Sequence, residues 1–385
     1  MERISNRMEN KIPYFDRNMT NTIKGIAIIF MLVHHFFTFP EWYVQGISYP
    51  QLQTFARIFC GPFRLCVPMF AFLTGYFYGI VYPQNIKYSL KKIGDIFIAY
   101  WWVYLPYLLI AIITGNFDIS YLRGIVLEIF ALKTPIMIFC WYVVFYSISM
   151  LILPVLSRVM IQNVMQGIGF GIILPTVICT LGCRMVPANS IMHGILSDVR
   201  FWFPLIGCGF LFSRFSLFQR IYDKIFGNIK YEVIKLSIAV IIIAVSFVGE
   251  YVSPNFSLGE MSFFQDSVVF TYKMSLFYIP TMIWGFITIL SKLSDKGITR
   301  RLLQTLGKYS LLIWFLHGIF FNVCKNIFQP ILFFPRNPIL VLAWGAGICL
   351  GAAMIWDIPI RKSKELLNVL YNKCKRCTAV SQDQK

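Results

Sequence analysis

The sequence predicts an all-α integral membrane protein, a single bundle of about ten transmembrane helices with both termini in the cytosol. Three observations carry this expectation. Apolar residues make up 57% of the chain and charged residues only 14%, where soluble proteins carry about 25% charge. The apolar residues gather in runs long enough to cross about 30 Å of hydrocarbon as helices. Most of the 35 lysines and arginines fall at the two ends and in alternate loops, which is the bias that marks cytosolic sides.

Spans are expected at 22–40, 60–82, 93–114, 136–156, 164–182, 200–213, 233–250, 267–290, 308–329 and 337–357, the sixth being short. Residues 1–21 then form a cytosolic N-terminal segment, 22–358 one membrane domain, and 359–385 a basic cytosolic tail. The first 23 residues are polar, and the apolar run after them ends in aromatics rather than in small residues. It is read as a retained first span, not a cleaved signal. No internal repeat of the transporter kind is evident.

The net charge of +18 would suggest nucleic acid in a soluble protein. Here the positive-inside bias accounts for it, and no nucleic-acid partner is expected. A basic cytosolic surface also attracts anionic lipid and acidic ligands such as nucleotides. The ten cysteines are spread through apolar segments, where a thiol behaves as a small hydrophobe. Cys374 and Cys377 form a single CxxC pair in the tail, half a zinc site at most, so no metal is expected.

The chemistry concentrates in the first span, TIKGIAIIFMLVHHFFTFP, residues 22–40. Lys24 and His35 are eleven positions apart, close to three helical turns, so they share one face about 16 Å apart along the axis. His34 lies about 80° off that line. Ionisable groups at membrane depth are costly and usually line a cavity or polar path. The pair suits an elongated anionic ligand, with its charged end at Lys24 and its reactive end at His35. An acyl-CoA thioester has that shape, and imidazole is suited to removing a hydroxyl proton at neutral pH. The bland alternative is a snorkelling lysine and a hydrogen-bonded core histidine.

Other candidates follow in order. Arg64 precedes a span holding Pro68 and Gly75, and can hold a polar acceptor or a developing oxyanion. Lys91 and Lys92, with Lys87, are phosphate-binding candidates as well as ordinary interfacial anchors. Trp141 and Tyr142 open the fourth span, as belt residues or as a stacking surface for a sugar. His317 lies in the ninth span, either packed or completing a polar interior with His35. His193 is placed in an outer loop, and Glu260 and Asp266 are placed at the outer mouth.

Four stretches together resemble membrane-bound acyltransferase family 3. Lys24-Gly25-Ile26-Ala27 through His35 resembles the family's Arg-x10-His motif, with Lys for Arg. Val67 to Tyr76, VPMFAFLTGY, resembles its VPLFFxxSGY segment. Trp141-Tyr142 resembles its tryptophan-aromatic pair. Leu306-Gly307-Lys308-Tyr309-Ser310 through His317 resembles its GKxSxxIYLLH segment. The likeness runs from 21 to about 357. Two features depart from it: Asn21 replaces a frequent acid, and Lys24 loses the bidentate phosphate geometry of arginine. Some members carry an extra extracytoplasmic domain, but no loop here is long enough for one. The acyl group is therefore expected to pass straight to its acceptor or through a partner.

The resemblance implies His35 as the catalytic histidine, acting as general base on the acceptor hydroxyl or carrying the acyl group transiently, and Lys24 as its paired cation. It implies an acyl-CoA co-substrate, acetyl-CoA above all, held by Lys24, Lys91 and Lys92. It implies a glycan or lipid-linked sugar acceptor near Arg64, Trp141 and His317, at a bacterial cytoplasmic membrane. Two other readings compete: a transporter or flippase for a polar lipid or glycan, and a non-catalytic scaffold. The first moves substrate without releasing CoA. The second tolerates replacement of Lys24 and His35.

Overall fold

The computed structural model describes residues 15–47, 61–81, 84–117, 122–133, 136–160, 162–252, 267–294 and 297–382. Among these residues every regular element is a helix. In order they are α1 Arg17–Phe37, α2 Cys66–Ile80, α3 Ile86–Ile113, α4 Leu122–Ile129, α5 Trp141–Met160, α6 Val164–Met185 and α7 Ile191–Arg214. Then follow α8 Leu217–Phe226, α9 Glu232–Val252, α10 Ser267–Leu290, α11 Ile298–Lys308, α12 Ser310–His317, α13 Lys325–Leu332 and α14 Pro338–Gln382. Eight helical stretches among the described residues are long and apolar enough to cross a membrane, and the bent pair α12 and α13 would make a ninth. Helix α10 adds a shorter apolar stretch, Met274–Leu290. The protein is an all-α integral membrane protein.

Local chemistry sets several helix starts. The Asp16 side chain accepts from the Met19 amide at 2.7 Å and begins α1 five residues earlier than hydropathy indicates. Asn85 caps α3 at the Tyr88 amide, and Asn163 caps α6 at the Gln166 amide. Pro68 falls in the first turn of α2, where its missing N–H would have no intrahelical partner anyway.

Two glycine pairs let backbones touch. On α2 and α7, a Cβ on Gly75 would overlap the Ile206 carbonyl, and one on Gly209 would overlap the Phe72 carbonyl. On α1 and α11, Gly25 meets the Leu303 carbonyl and Gly307 meets the Asn21 carbonyl in the same way. Lipid is as apolar as leucine, so helices in a membrane associate through such close packing. The glycines next to Lys24 and Lys308 are thereby explained by packing.

Several expectations are corrected. The short sixth span at 200–213 is the long helix α7, Ile191–Arg214, so His193 is helical and not in a loop. Ser190 caps this helix, accepting from the His193 amide at 3.1 Å. Asp198 and Arg200 lower the hydropathy of its first turns without breaking helical phase. The expected straight span at 308–329 is broken: α12 and α13 meet at 111°. Residues 318–324 are too apolar to signal this. Backbone bonds serve part of this corner, such as the Phe321 amide to the Gly318 carbonyl at 3.0 Å, and the Cys324 amide donates to the Tyr107 hydroxyl at 3.0 Å. The last span and the tail form one continuous helix through Pro359. An Asp357–Arg361 ion pair at 3.0 Å bridges that proline. Trp102 and Trp356 tie this helix to α3, through Trp102 Nε1 to Ser363 and Trp356 Nε1 to the Trp102 carbonyl. Glu260 and Asp266 lie outside the described residues, as do the side chains of Cys374 and Cys377.

Between α3 and α5 the chain adds the short helix α4, which sequence reading treated as loop. Its Glu128 is wholly buried. Burial pushes the carboxyl from 4.5 up to about 7, against the pull of the Met137 and Ile136 amides that donate to it.

Two measurements check this architecture. Gly75→Val lowers stability by about 3 kcal/mol, because backbone cannot move aside, while Gly94→Ala, with open space around it inside α3, leaves the thermal midpoint unchanged or raises it. Equal midpoints for both would refute the backbone contact. The second concerns pH. The folded protein holds a proton on Glu128 that the unfolded chain releases near pH 4.5, so this contribution is complete below that pH and is lost as pH rises through about 7. Between these values the thermal midpoint falls more steeply in the wild type than in Glu128→Gln. Parallel curves would show that Glu128 does not titrate there.

Candidate active site

His35, near the end of α1, is 9% exposed, and His317, at the end of α12, is fully buried. His35 Nδ1 and His317 Nε2 are 2.9 Å apart. The other nitrogen of His317, Nδ1, is hydrogen-bonded to the Trp314 carbonyl. A carbonyl only accepts, so His317 Nδ1 carries the proton and donates. In a neutral ring that leaves His317 Nε2 as an acceptor. His35 Nδ1 must then donate to it, and His35 Nε2 is left as the basic nitrogen. The tautomers follow from the chemistry of the partners, starting from one backbone carbonyl.

Aromatic rings enclose the pair. Phe139 lies with its ring centroid 4.4 Å from His35 and 5.0 Å from His317. Trp42 stacks over Phe39 at 4.0 Å and lies 6.3 Å from His35. Gln329 on α13 holds the Trp42 segment from both ends. Its Nε2 donates to the Trp42 carbonyl at 2.9 Å, and its Oε1 accepts from the Val44 amide at 2.7 Å. The Trp314 indole donates to the Phe139 carbonyl at 2.9 Å.

A cavity of about 520 Å³ opens beside this cluster. His35 lines it, and so do His34, Arg64, Trp141, Trp202, Glu250 and Trp314. Arg64 Nε donates to the carboxylate of Glu250 at the end of α9. The Arg64 Nη2 atom is buried and has no hydrogen-bond partner among the described residues. The Trp141 and Trp202 rings stack with centroids 6.1 Å apart and 29° between planes.

The sequence candidates divide between two places. Arg64, Trp141 and His35 share the cavity wall. His317 is not on that wall: it sits behind His35, fully buried, bonded to a histidine and a carbonyl. Lys24 lies away from the cavity with its ammonium 5.3 Å from the Phe77 ring. Its cationic neighbours are Lys92 and Arg17. Lys92 is half-buried, 3.8 Å from Asp95 and 5.6 Å from the Tyr88 ring. Lys91 is exposed on the same turn of α3. His34, out of phase with Lys24, nonetheless reaches the cavity wall. Sequence reading did not single out Glu250, Trp202, Gln329 or Phe139. An acid in the last turn of an apolar span was the available signal for Glu250.

A family model described as an acyltransferase domain matches residues 20–356. The chain belongs to the acyltransferase 3 family. No curated protein and no solved structure matches the chain. The matched region of this acyltransferase contains both histidines, Arg64, Glu250 and the three tryptophans of the cavity.

The relay has a direct check. Replacing His317 with Leu removes the acceptor for His35 Nδ1–H and lowers acyl-transfer turnover by about 10²-fold or more. His317→Gln, whose amide oxygen can still accept that proton, retains more activity. An equal loss in both variants, at equal amounts of folded protein, would count against the relay.

Proposed function

We propose that this acyltransferase moves an acetyl group from acetyl-CoA to a hydroxyl of an envelope or lipid-linked glycan. It works as an O-acetyltransferase of the bacterial cytoplasmic membrane with both termini in the cytosol. The observation that carries the reading is the Trp314 carbonyl–His317–His35 chain, which supplies a base of defined tautomer on the wall of a cavity also lined by Arg64.

In this reading acetyl-CoA approaches at the Lys24 end of α1. Lys24, with Lys91 and Lys92, holds its phosphates, and the thioester arm extends along α1 toward His35, about 16 Å away. His35 Nε2 removes the acceptor hydroxyl proton while the oxygen attacks the thioester carbonyl. The positive charge arising on His35 is met by the neutral chain behind it, ending on a backbone carbonyl dipole. The Nη2 of Arg64, which has no partner among the described residues, is suited to the oxyanion of the tetrahedral intermediate. The new C–O bond forms, the C–S bond breaks, and the proton on His35 passes to the CoA thiolate. Trp141 and Trp202 offer flat apolar faces to a sugar ring. His317 serves as the group that orients the base, not as a contact to the acceptor.

The test is alkali-labile acetate on host envelope glycans, with CoA release in membranes, for the wild type, a deletion and His35→Ala at equal expression. Both mutants lose the acetate, and CoA release in His35→Ala falls by about 10²- to 10⁴-fold. Normal transfer by His35→Ala would sink the mechanism. Glycan movement without CoA release would support a transporter instead.

A further inference from the structure

Glu128 has no part in the chemistry above, yet it is a buried carboxylate with both oxygens engaged. Oε1 accepts from the Ile136 amide at 3.0 Å and from the Met137 amide at 2.6 Å, and Oε2 accepts from Ile136 at 3.1 Å. The Glu128 carbonyl accepts from the Tyr100 hydroxyl at 2.7 Å, which fixes α4 against α3. Among the described residues no cation acts on this carboxyl; only the two backbone amides do. A buried carboxyl group here holds two backbone amides.

Those two amides open the single 3₁₀ turn Ile138–Cys140. At its centre stands Phe139, whose ring braces both histidines and whose carbonyl anchors the Trp314 indole. Trp314 in turn supplies the backbone carbonyl that sets the tautomer of His317. Asn322 ties the same turn to the broken-helix corner, accepting from the Ile138 amide at 3.4 Å. From Glu128 the contacts thus run through Phe139 to His35 and, separately, through Trp314 to His317.

We propose that Glu128 is a positioning residue for acyl transfer, its carboxylate clamping residues 136–137 so that Phe139 holds the His35–His317 pair in register. The inference rests on the function proposed above. Glu128 does not line the cavity. It therefore acts on turnover, because misplacing a base by about 1 Å costs roughly 10²-fold in rate while leaving donor binding alone.

The experiment uses the full chain in detergent, with radiolabelled acetyl-CoA as donor and a host envelope fraction as acceptor. Glu128→Ala lowers kcat by about 10- to 100-fold, while KM for acetyl-CoA stays within about two-fold. Glu128→Gln, which keeps an acceptor oxygen for the two amides, stays within about three-fold of wild type. Phe139→Ala lowers kcat comparably, and the double variant loses less than the product of the two single losses, because both act in part through the Phe139 ring. Where Glu128→Ala is not recovered folded, Glu128→Asp, which withdraws the carboxylate by one methylene, takes its place with the same expectation. The proposal is overturned by a wild-type kcat in these variants, by a rise in KM at unchanged kcat, or by losses at 128 and 139 that multiply. His35→Ala is run alongside. If it is inactive while the Glu128 variants are normal, only the positioning role fails. If it is active, the functional reading fails with it.

Discussion

The hydrogen bond between His35 and His317 joins residues 282 positions apart, and the architecture around it is what keeps it 2.9 Å long. Each ring must be held by something else, since two imidazoles have no charge complementarity of their own. His35 is held by α1, which the paired glycines Gly25 and Gly307 press directly onto the backbone of α11. His317 is held by the Trp314 carbonyl one turn back in α12. The chain breaks direction just after His317, so the ring sits at a helix end instead of being buried in mid-span. The enclosing aromatics exclude water from the pair, which strengthens its polar contacts.

Much of this was legible in the sequence. The phase of Lys24 and His35 on one helix follows from a period of 3.6, and α1 places His35 where that period requires. The apolar runs located most of the spans to within a few residues, and the four motif stretches pointed to the family that the chain belongs to. Arg64, Trp141 and His35 were each suspected separately and meet on one cavity wall.

What stayed hidden was hidden for physical reasons. Hydropathy sums over a window, so Asp198 and Arg200 erased the first turns of α7, and the apolar run 318–324 concealed the corner between α12 and α13. Partnership across the bundle leaves no local mark. Glu250 meets Arg64 across 186 positions, and Gln329 grips the Trp42 segment from slightly farther along the chain than His317 lies from His35. His317 was expected near the acceptor because the family resemblance implied it. Its burial behind His35 places it one layer further back.

The long helix α14 also shapes the surface around the Lys24 cluster. Lys364 pairs with Asp95 at 3.3 Å, and Asp95 shares its turn of α3 with Lys92, the cationic neighbour of Lys24. That helix therefore emerges on the face where the Lys24 cluster lies. Its remaining eighteen residues, Glu365 to Gln382, form a rod about 27 Å long beyond this tie. The cations are thus flanked on one side by a helical rod, and the space beside them is bounded there by protein backbone.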